Sequence, residues 1–159
     1  MDALKSELAA LTPRLRRFAW ALTGSRDEGD DLVQACLAKA LASLGQFERG
    51  TRLDAWTFRI HRLRARARRP TVYDPEAVEA LSDGGAAARG AEARVALAQA
   101  RAAMAALPDD QREALALVAI EGLSYREAAG ILGVPVGTVM SRLSRARARL
   151  TAWMEESGR

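Results

Sequence analysis

Apolar residues recur along most of this chain at the three- and four-residue spacing of an α-helix. Near the N-terminus they follow intervals of 4, 3, 4, 3 and 4 residues, at Leu4, Leu8, Leu11, Leu15, Phe18 and Leu22. Such intervals keep the side chains on one stripe of a helix, whereas the alternation typical of a half-buried strand is nearly absent. Similar stripes predict further helices at residues 26–44, 53–69, 92–106, 109–121, 124–132 and 135–154. The sequence therefore predicts an all-α fold.

Residues 70–91 interrupt the helical pattern. They contain few apolar side chains and several residues that break helices, namely Pro70, Pro75, Gly84, Gly85 and Gly90. A chain of 159 residues can form one domain or two small ones. We therefore expect two small helical domains, residues 1–69 and 92–159, joined by a flexible linker at 70–91.

The composition excludes several classes of function. Cys36 is the only cysteine and His61 the only histidine, so neither an internal disulfide nor a metal cluster is expected. No nucleophile–base arrangement or phosphate loop is visible, so we expect no enzyme, no cofactor and no small-molecule substrate. No apolar run approaches the roughly 18 residues of a membrane span, and the N-terminus lacks the pattern of a signal peptide. We therefore expect a cytoplasmic protein with no membrane partner.

The charge favours a polyanionic partner. The net charge is +4 and the pI is near 10.0, and all but two of the 24 cationic residues are arginines. Arginine suits phosphates and base edges because its planar guanidinium donates two parallel hydrogen bonds. A GC-rich genome would produce the same arginine excess. The positions of the arginines must therefore show whether they serve a polyanionic partner.

The stretch "LSYREAAGILGVPVGTVMSRLSRARARL", residues 123–150, predicts two helices joined by a short turn. Ser124 and Glu127 form an S-x-x-E capping box, which marks where the first helix begins. Gly133 suits the left-handed position that ends a helix, and Pro135 suits the first turn of the next one. This is the arrangement of a helix-turn-helix.

The second helix of this pair has one apolar face and one face of small and basic residues. Its core face is predicted to contain Val139, Leu143, Ala146 and Leu150. The residues predicted to meet DNA lie on or beside the opposite face, at Thr138, Met140, Ser141, Arg142, Ser144, Arg145 and Arg149. A face of this kind can enter the major groove, where arginine pairs with guanine. A solvated arginine-rich helix, or a helix pair used only for packing, is the alternative.

Two segments of the N-terminal half are strongly charged. Acidic residues cluster at the start of the second predicted helix, at Asp27, Glu28, Asp30 and Asp31, where they favour the helix dipole. Six arginines stand between residues 59 and 69 beside Trp56 and Phe58, with no acid among them. Such a segment suits melted DNA. The alternative is a basic helix end that stabilises its own dipole, but six arginines exceed what that needs. Trp56 and Phe58 themselves fit a core better than a base-stacking role.

These motifs together resemble the extracytoplasmic-function sigma factors of bacterial RNA polymerase. The segment from "LPDDQREAL" to residue 150 resembles the fourth sigma domain, and "DEGDDLVQACLAKAL" and "FERGTRLDAWTFRI" resemble the second. The motifs "GDDLVQ", "F-x-x-G-T" and "LPDDQREAL" are similar to those of the alphaproteobacterial general-stress branch. The resemblance implies that the chain binds core RNA polymerase at the β′ coiled coil and the β flap. It also implies promoter DNA and an anti-sigma factor as partners.

The resemblance also implies roles for particular residues. Polymerase docking would involve Asp31, Leu32 and Gln34. The minus-ten promoter element would meet Trp56, Arg59, His61, Arg62, Leu63 and Arg66. The minus-thirty-five element would meet the recognition-helix residues given above.

Three features depart from the family pattern. Leu63 stands where an asparagine is frequent, the basic helix ends early at Pro70, and Met140 occupies a position where Lys or Arg is common. Two alternatives to an initiation factor therefore stay open. One is a sigma-like decoy that sequesters an anti-sigma factor, and the other is a conventional helix-turn-helix regulator.

Overall fold

The computed structural model describes residues 1–68 and 90–158, so most of the predicted linker at 70–91 lies outside the described residues. The N-terminal half contains four α-helices: α1 (Asp2–Ala10), α2 (Thr12–Thr23), α3 (Arg26–Ala42) and α4 (Leu53–Ala67). The C-terminal half contains α5 (Gly90–Ala105), α6 (Asp109–Leu115), α7 (Tyr125–Leu132) and α8 (Val136–Ser157). The predicted all-α fold with two helical domains is confirmed.

Local signals end and begin the helices of the N-terminal half. The first apolar stripe is shared by two helices rather than one, because Pro13 opens α2 within its first turn. Gly24 ends α2 in a left-handed conformation with φ of 69°. The hydroxyl of Ser25 then accepts a hydrogen bond of 3.4 Å from the backbone N–H of Glu28 and caps α3, as the capping pattern predicts.

The core of the N-terminal half is built around two aromatic rings. Phe18 of α2 and Phe58 of α4 meet edge to face, with ring centroids 5.0 Å apart. Cys36 of α3 is buried in the same core, and this burial raises the pKa of its thiol to about 12. Gly29 lets α3 approach α2 closely, because a Cβ atom there would lie 2.3 Å from Cδ1 of Trp20.

The helix-turn-helix has the predicted geometry. Ser124 accepts a hydrogen bond of 3.1 Å from the backbone N–H of Glu127 and caps α7. Gly133 ends α7 in a left-handed conformation with φ of 67°, and Pro135 directly precedes α8. Before this pair, α6 continues into a π-helical segment at Ala116–Ile120.

The two halves pack against each other. Helix α2 contacts α5, α6 and the π-helical segment, and α4 contacts α7. One apolar cluster extends from Leu15 and Phe18 of the N-terminal half to Leu107, Leu117 and Ile131 of the C-terminal half. The described structure is therefore a closed arrangement in which the domains share a core. None of the helices in residues 1–68 and 90–158 has the length and apolar character needed to cross a membrane.

Candidate nucleic-acid and polymerase interface

Helix α8 presents two different faces. Val139, Leu143 and Ala146 are fully buried, as their spacing predicts. The opposite face exposes four of the residues predicted to meet DNA, namely Met140, Ser144, Arg145 and Arg149. Thr138 and Ser141 lie at its edges and are half-buried. The exposed part of α8 therefore combines a basic and an apolar surface with small side chains between them.

Arg142 differs from the other arginines of α8. Its side chain is only 19% exposed, and its Nε atom lies 3.7 Å from the carboxylate of Asp110 on α6. Arg142 is thus directed toward its own domain, because α8 packs along α6 at this level. The structure does not place it freely on the face where Arg145 lies.

The start of α3 exposes two of the three residues predicted to dock on polymerase. Asp31 and Gln34 are exposed, and the neighbouring Asp30 is held by Arg16 at 3.4 Å and by the indole N–H of Trp20 at 3.2 Å. Leu32, the third residue predicted to dock, is completely buried in the core of the N-terminal half, and its role in docking stays a prediction. One step along a helix turns a side chain by about 100°, which carries Leu32 away from the face of Asp31.

The minus-ten candidates on α4 separate into exposed, buried and paired residues. Leu63 is 57% exposed, Arg59 is exposed and Trp56 is half-buried against Phe47, with ring centroids 5.4 Å apart. His61 is completely buried near Phe18 in this arrangement, and its contact with the minus-ten element stays a prediction. Desolvation lowers the pKa of its ring to about 4, although a contact with the backbone of Thr57 acts in the opposite direction.

Arg62 and Arg66 are bound to the C-terminal half. The Nε atom of Arg62 lies 3.0 Å from Oε2 of Glu113 on α6. Arg66 makes two contacts with the same carboxylate, from Nε to Oε1 at 2.7 Å and from Nη2 to Oε2 at 3.1 Å. This pairing raises the pKa of Arg66. Glu113 is 3% exposed at its side chain, so the two arginines neutralise a buried charge.

A second set of ion pairs connects α2 with the end of the π-helical segment. Nε of Arg14 donates to Glu121 at 3.1 Å, and the Glu121 side chain is completely buried. Nη1 of Arg14 lies 3.2 Å from Asp54 of α4, and its guanidinium stacks over Phe58 at 5.2 Å. Arg14 therefore ties α2, α4 and the C-terminal half together.

Arg52 makes a third connection between the halves, because it contacts both Asp54 and Glu127. Glu127 thus directs its carboxylate across the interface, while its backbone N–H donates to the hydroxyl oxygen of Ser124. Burial alone would raise the pKa of Asp54. Hydrogen bonds from Arg52, the backbone N–H of Ala55 and Arg14 outweigh it and hold this pKa below its usual range.

The acidic residues of this interface were not identified from the sequence. Glu113 and its arginine partners are 47 and 51 positions apart, and Glu121 and Arg14 are 107 apart, so no local pattern connects them. One weak signal exists, since Glu113 stands one helical turn before the buried Leu117 and so shares an apolar face. In the described parts of the chain, no group of three or more His, Cys, Asp or Glu residues could hold a metal ion.

Comparisons with known proteins agree with the order of the two halves. The family model described as the Sigma2 domain of PhyR matches residues 8–62, and that described as Sigma-70, region 4, matches residues 97–150. The ECF RNA polymerase sigma factor EcfG of Rhodopseudomonas palustris is 42% identical over 161 residues, which cover 99% of this chain and 88% of the relative.

Two solved complexes share the fold. The sigma factor RpoE of Bartonella quintana, crystallised with the anti-sigma factor NepR, has a TM-score of 0.76 at 32% identity, with 98% of both chains covered. The PhyRSL–NepR complex of Sphingomonas sp. Fr1 has a TM-score of 0.60 at 29% identity, with 94% of this chain and 87% of that chain covered. With the helix-turn-helix and the acidic and basic segments in matching order, the chain belongs to the extracytoplasmic-function family of RNA polymerase sigma factors, in its general-stress-response branch.

Proposed function

We propose that this chain binds core RNA polymerase and directs it to promoters that α8 recognises at the minus-thirty-five element. The observation that carries the proposal is the exposed face of α8, which presents Arg145 and Arg149 with small side chains and no acidic residue between them. Its N-terminal turns expose Val136 and Met140, whose apolar side chains suit contact with thymine methyl groups. Thr138, Ser141 and Ser144 complete the proposed contact surface.

The N-terminal half would supply polymerase docking and promoter opening. Asp31 and Gln34 project from α3 and are proposed to contact the β′ coiled coil, while the C-terminal half is proposed to contact the β flap. On α4, Arg59 and Leu63 face solvent and are proposed to meet the minus-ten element, together with Arg62 and Arg66 once these leave Glu113. Both partners would place the protein in the cytoplasm.

An anti-sigma factor is the proposed regulatory partner. The relative from Bartonella quintana was crystallised with such a factor, and its likeness extends over 98% of both chains. Alignment over that whole length favours a similar placement of the two halves, since a different placement would align only one half well. The closed arrangement is therefore compatible with capture by an inhibitor that covers both domains.

The decoy alternative also has a specific observation in its favour. The N-terminal half matches the Sigma2 domain of PhyR, and the PhyRSL–NepR complex shares the fold of this chain, NepR being named as the anti-sigma factor in the Bartonella quintana complex. A decoy would bind the anti-sigma factor and have no need to bind core polymerase. Polymerase binding therefore separates the two functions.

We expect Asp31→Ala combined with Gln34→Ala to weaken binding to core polymerase by roughly tenfold or more, equivalent to ~1.4 kcal/mol. Both side chains are exposed, so helical content should be unchanged by circular dichroism. The matched control is Gln46→Ala with Glu48→Ala, which removes the same two chemical groups from exposed positions beyond the end of α3. Equal affinities of the two double variants for core polymerase, measured by biolayer interferometry, would contradict the docking site.

A further inference from the structure

Part of the proposed minus-ten surface is occupied by the C-terminal half of the same chain. Arg62 and Arg66 bind Glu113, and Nη2 of Arg59 donates to the backbone carbonyl of Gly130 on α7 at 3.0 Å. All three arginines lie on α4, where the resemblance places contacts with promoter DNA.

The carboxylate of Glu113 is bound as a phosphate would be. Arg66 donates two roughly parallel hydrogen bonds to it, the geometry by which guanidinium also binds phosphate oxygens. Arg62 adds a third bond at 3.0 Å to Oε2, so both oxygens of the carboxylate are used. A phosphate of the DNA backbone and Glu113 would therefore compete for the same donors.

Because Glu113 is buried, Glu113 and DNA phosphate cannot share these arginines while the halves stay closed. Glu113 is 3% exposed at its side chain, and a carboxylate in such a place is tolerated only while it is paired. If DNA took Arg62 and Arg66 while the halves stayed closed, Glu113 would be left as an uncompensated buried charge. Separation of the halves avoids this cost because it exposes Glu113 to water.

We propose that the closed arrangement is autoinhibited, with Glu113 acting as an internal substitute for DNA phosphate that masks the basic face of α4 until the two halves separate. The inference rests on the proposed function in one respect, namely that Arg62 and Arg66 contact melted promoter DNA. Other connections, among them Arg14 with Glu121 and Arg52 with Glu127, hold the closed state without involving the arginines in the middle of α4.

The test uses the full chain with Glu113→Gln, which removes the charge and keeps the size of the side chain. We expect its affinity for fluorescently labelled oligothymidylate, measured by anisotropy, to increase about tenfold, as it would if the open state rose from roughly a tenth of the molecules to most of them. The matched control is Glu155→Gln, the same change of charge at an exposed position near the end of α8. It should change the affinity by less than about twofold, because only the general charge effect remains.

Opening is measured separately by energy transfer between dyes on Lys39→Cys and Thr151→Cys, which lie on exposed positions of α3 and α8. Cys36 should stay unlabelled, since it is buried and the raised pKa of its thiol leaves little thiolate. Glu113→Gln should lower the transfer efficiency. Unchanged efficiency, or opening without tighter binding of oligothymidylate, would overturn the proposal.

Glu121→Gln provides a second variant in case Glu113→Gln does not fold. It removes the buried partner of Arg14 and leaves Glu113 in place, so it should also open the chain and tighten binding, by a smaller factor. Opening of this variant without tighter binding would likewise overturn the mask.

Promoter opening by the holoenzyme with Arg66→Ala distinguishes the proposed role of α4 in promoter opening from its masking by Glu113. Impaired opening together with unchanged binding by Glu113→Gln would leave the proposed function intact and reject only the mask. Normal opening with Arg66→Ala would reject the role of this face and the mask with it.

Discussion

Replacement of Arg145 with alanine should weaken specific binding to the minus-thirty-five duplex by about 1–3 kcal/mol, the discrimination that one bidentate arginine–guanine contact supplies. Arg145 is exposed on the face of α8 that we propose meets DNA, one residue before the buried Ala146. Its loss should therefore affect recognition and leave the fold unchanged. The measurement compares the affinity of each protein for the promoter duplex with its affinity for duplexes substituted at single positions.

Arg149→Ala is the matched control for this experiment. Arg149 lies one turn further along α8 and is also exposed, but it stands past the N-terminal half of the helix that usually reaches base edges. If it touches only phosphate, all duplexes should be weakened to a similar extent and the salt dependence should decrease. Equal and negligible losses for both variants would show that α8 does not lie in the groove as proposed.

Acid should destabilise the folded chain through His61. Burial lowers the pKa of this imidazole to about 4, so the unfolded chain binds a proton near pH 6.5 that the folded chain does not bind until about pH 4. Because the unfolded state binds more protons in this window, the contribution is fully present above pH 6.5 and is lost as the pH falls. The loss amounts to roughly 3 kcal/mol between pH 6.5 and 4.

Urea denaturation at a series of pH values measures this contribution. The variant His61→Leu places an apolar side chain that does not titrate in the buried site. It should flatten the decline of the free energy of unfolding between pH 6.5 and 5. Below that window Asp54 also contributes, since its pKa is held low by Arg52 and Arg14 and its stabilisation is lost only at more acidic pH. An identical slope in both proteins between pH 6.5 and 5 would contradict the assignment to His61.

Local signals were enough to predict most helix ends, although the first apolar stripe divides into α1 and α2 and the helix predicted at 109–121 becomes π-helical after Leu115. Ser25 and Ser124 cap helices where the sequence places capping boxes, and Gly24 and Gly133 adopt the left-handed conformation that ends them. These features depend on residues within one or two turns, so the sequence contains the whole interaction. The apolar face of α8 is predictable for the same reason.

Two residues that charge and family pattern assign to partner surfaces are buried in the described structure. His61 follows Phe58 by three residues and therefore shares its buried face, although it stands among arginines. Leu32 is buried with Val33 and Cys36, although its neighbour Asp31 is exposed. In both cases the helical spacing alone indicates burial.

The interface between the halves could not be predicted in the same way. Glu113 and Glu121 look like ordinary surface acids in the sequence, and only the packing of α4 and α2 against the C-terminal half buries them. Arg62 and Arg66, the partners of Glu113, were predicted to meet the minus-ten element, and Arg14, the partner of Glu121, was given no role. Pairing across 47 to 107 positions is a property of the tertiary fold, so no spacing reveals it.

Run-off transcription with purified core polymerase and genomic promoter fragments tests whether this chain directs transcription initiation. We expect transcripts that begin at defined promoters only when the chain is present, and that disappear with Asp31→Ala combined with Gln34→Ala. The absence of promoter-specific transcripts, from a chain that still binds an anti-sigma factor, would rule out an initiation factor and identify a decoy.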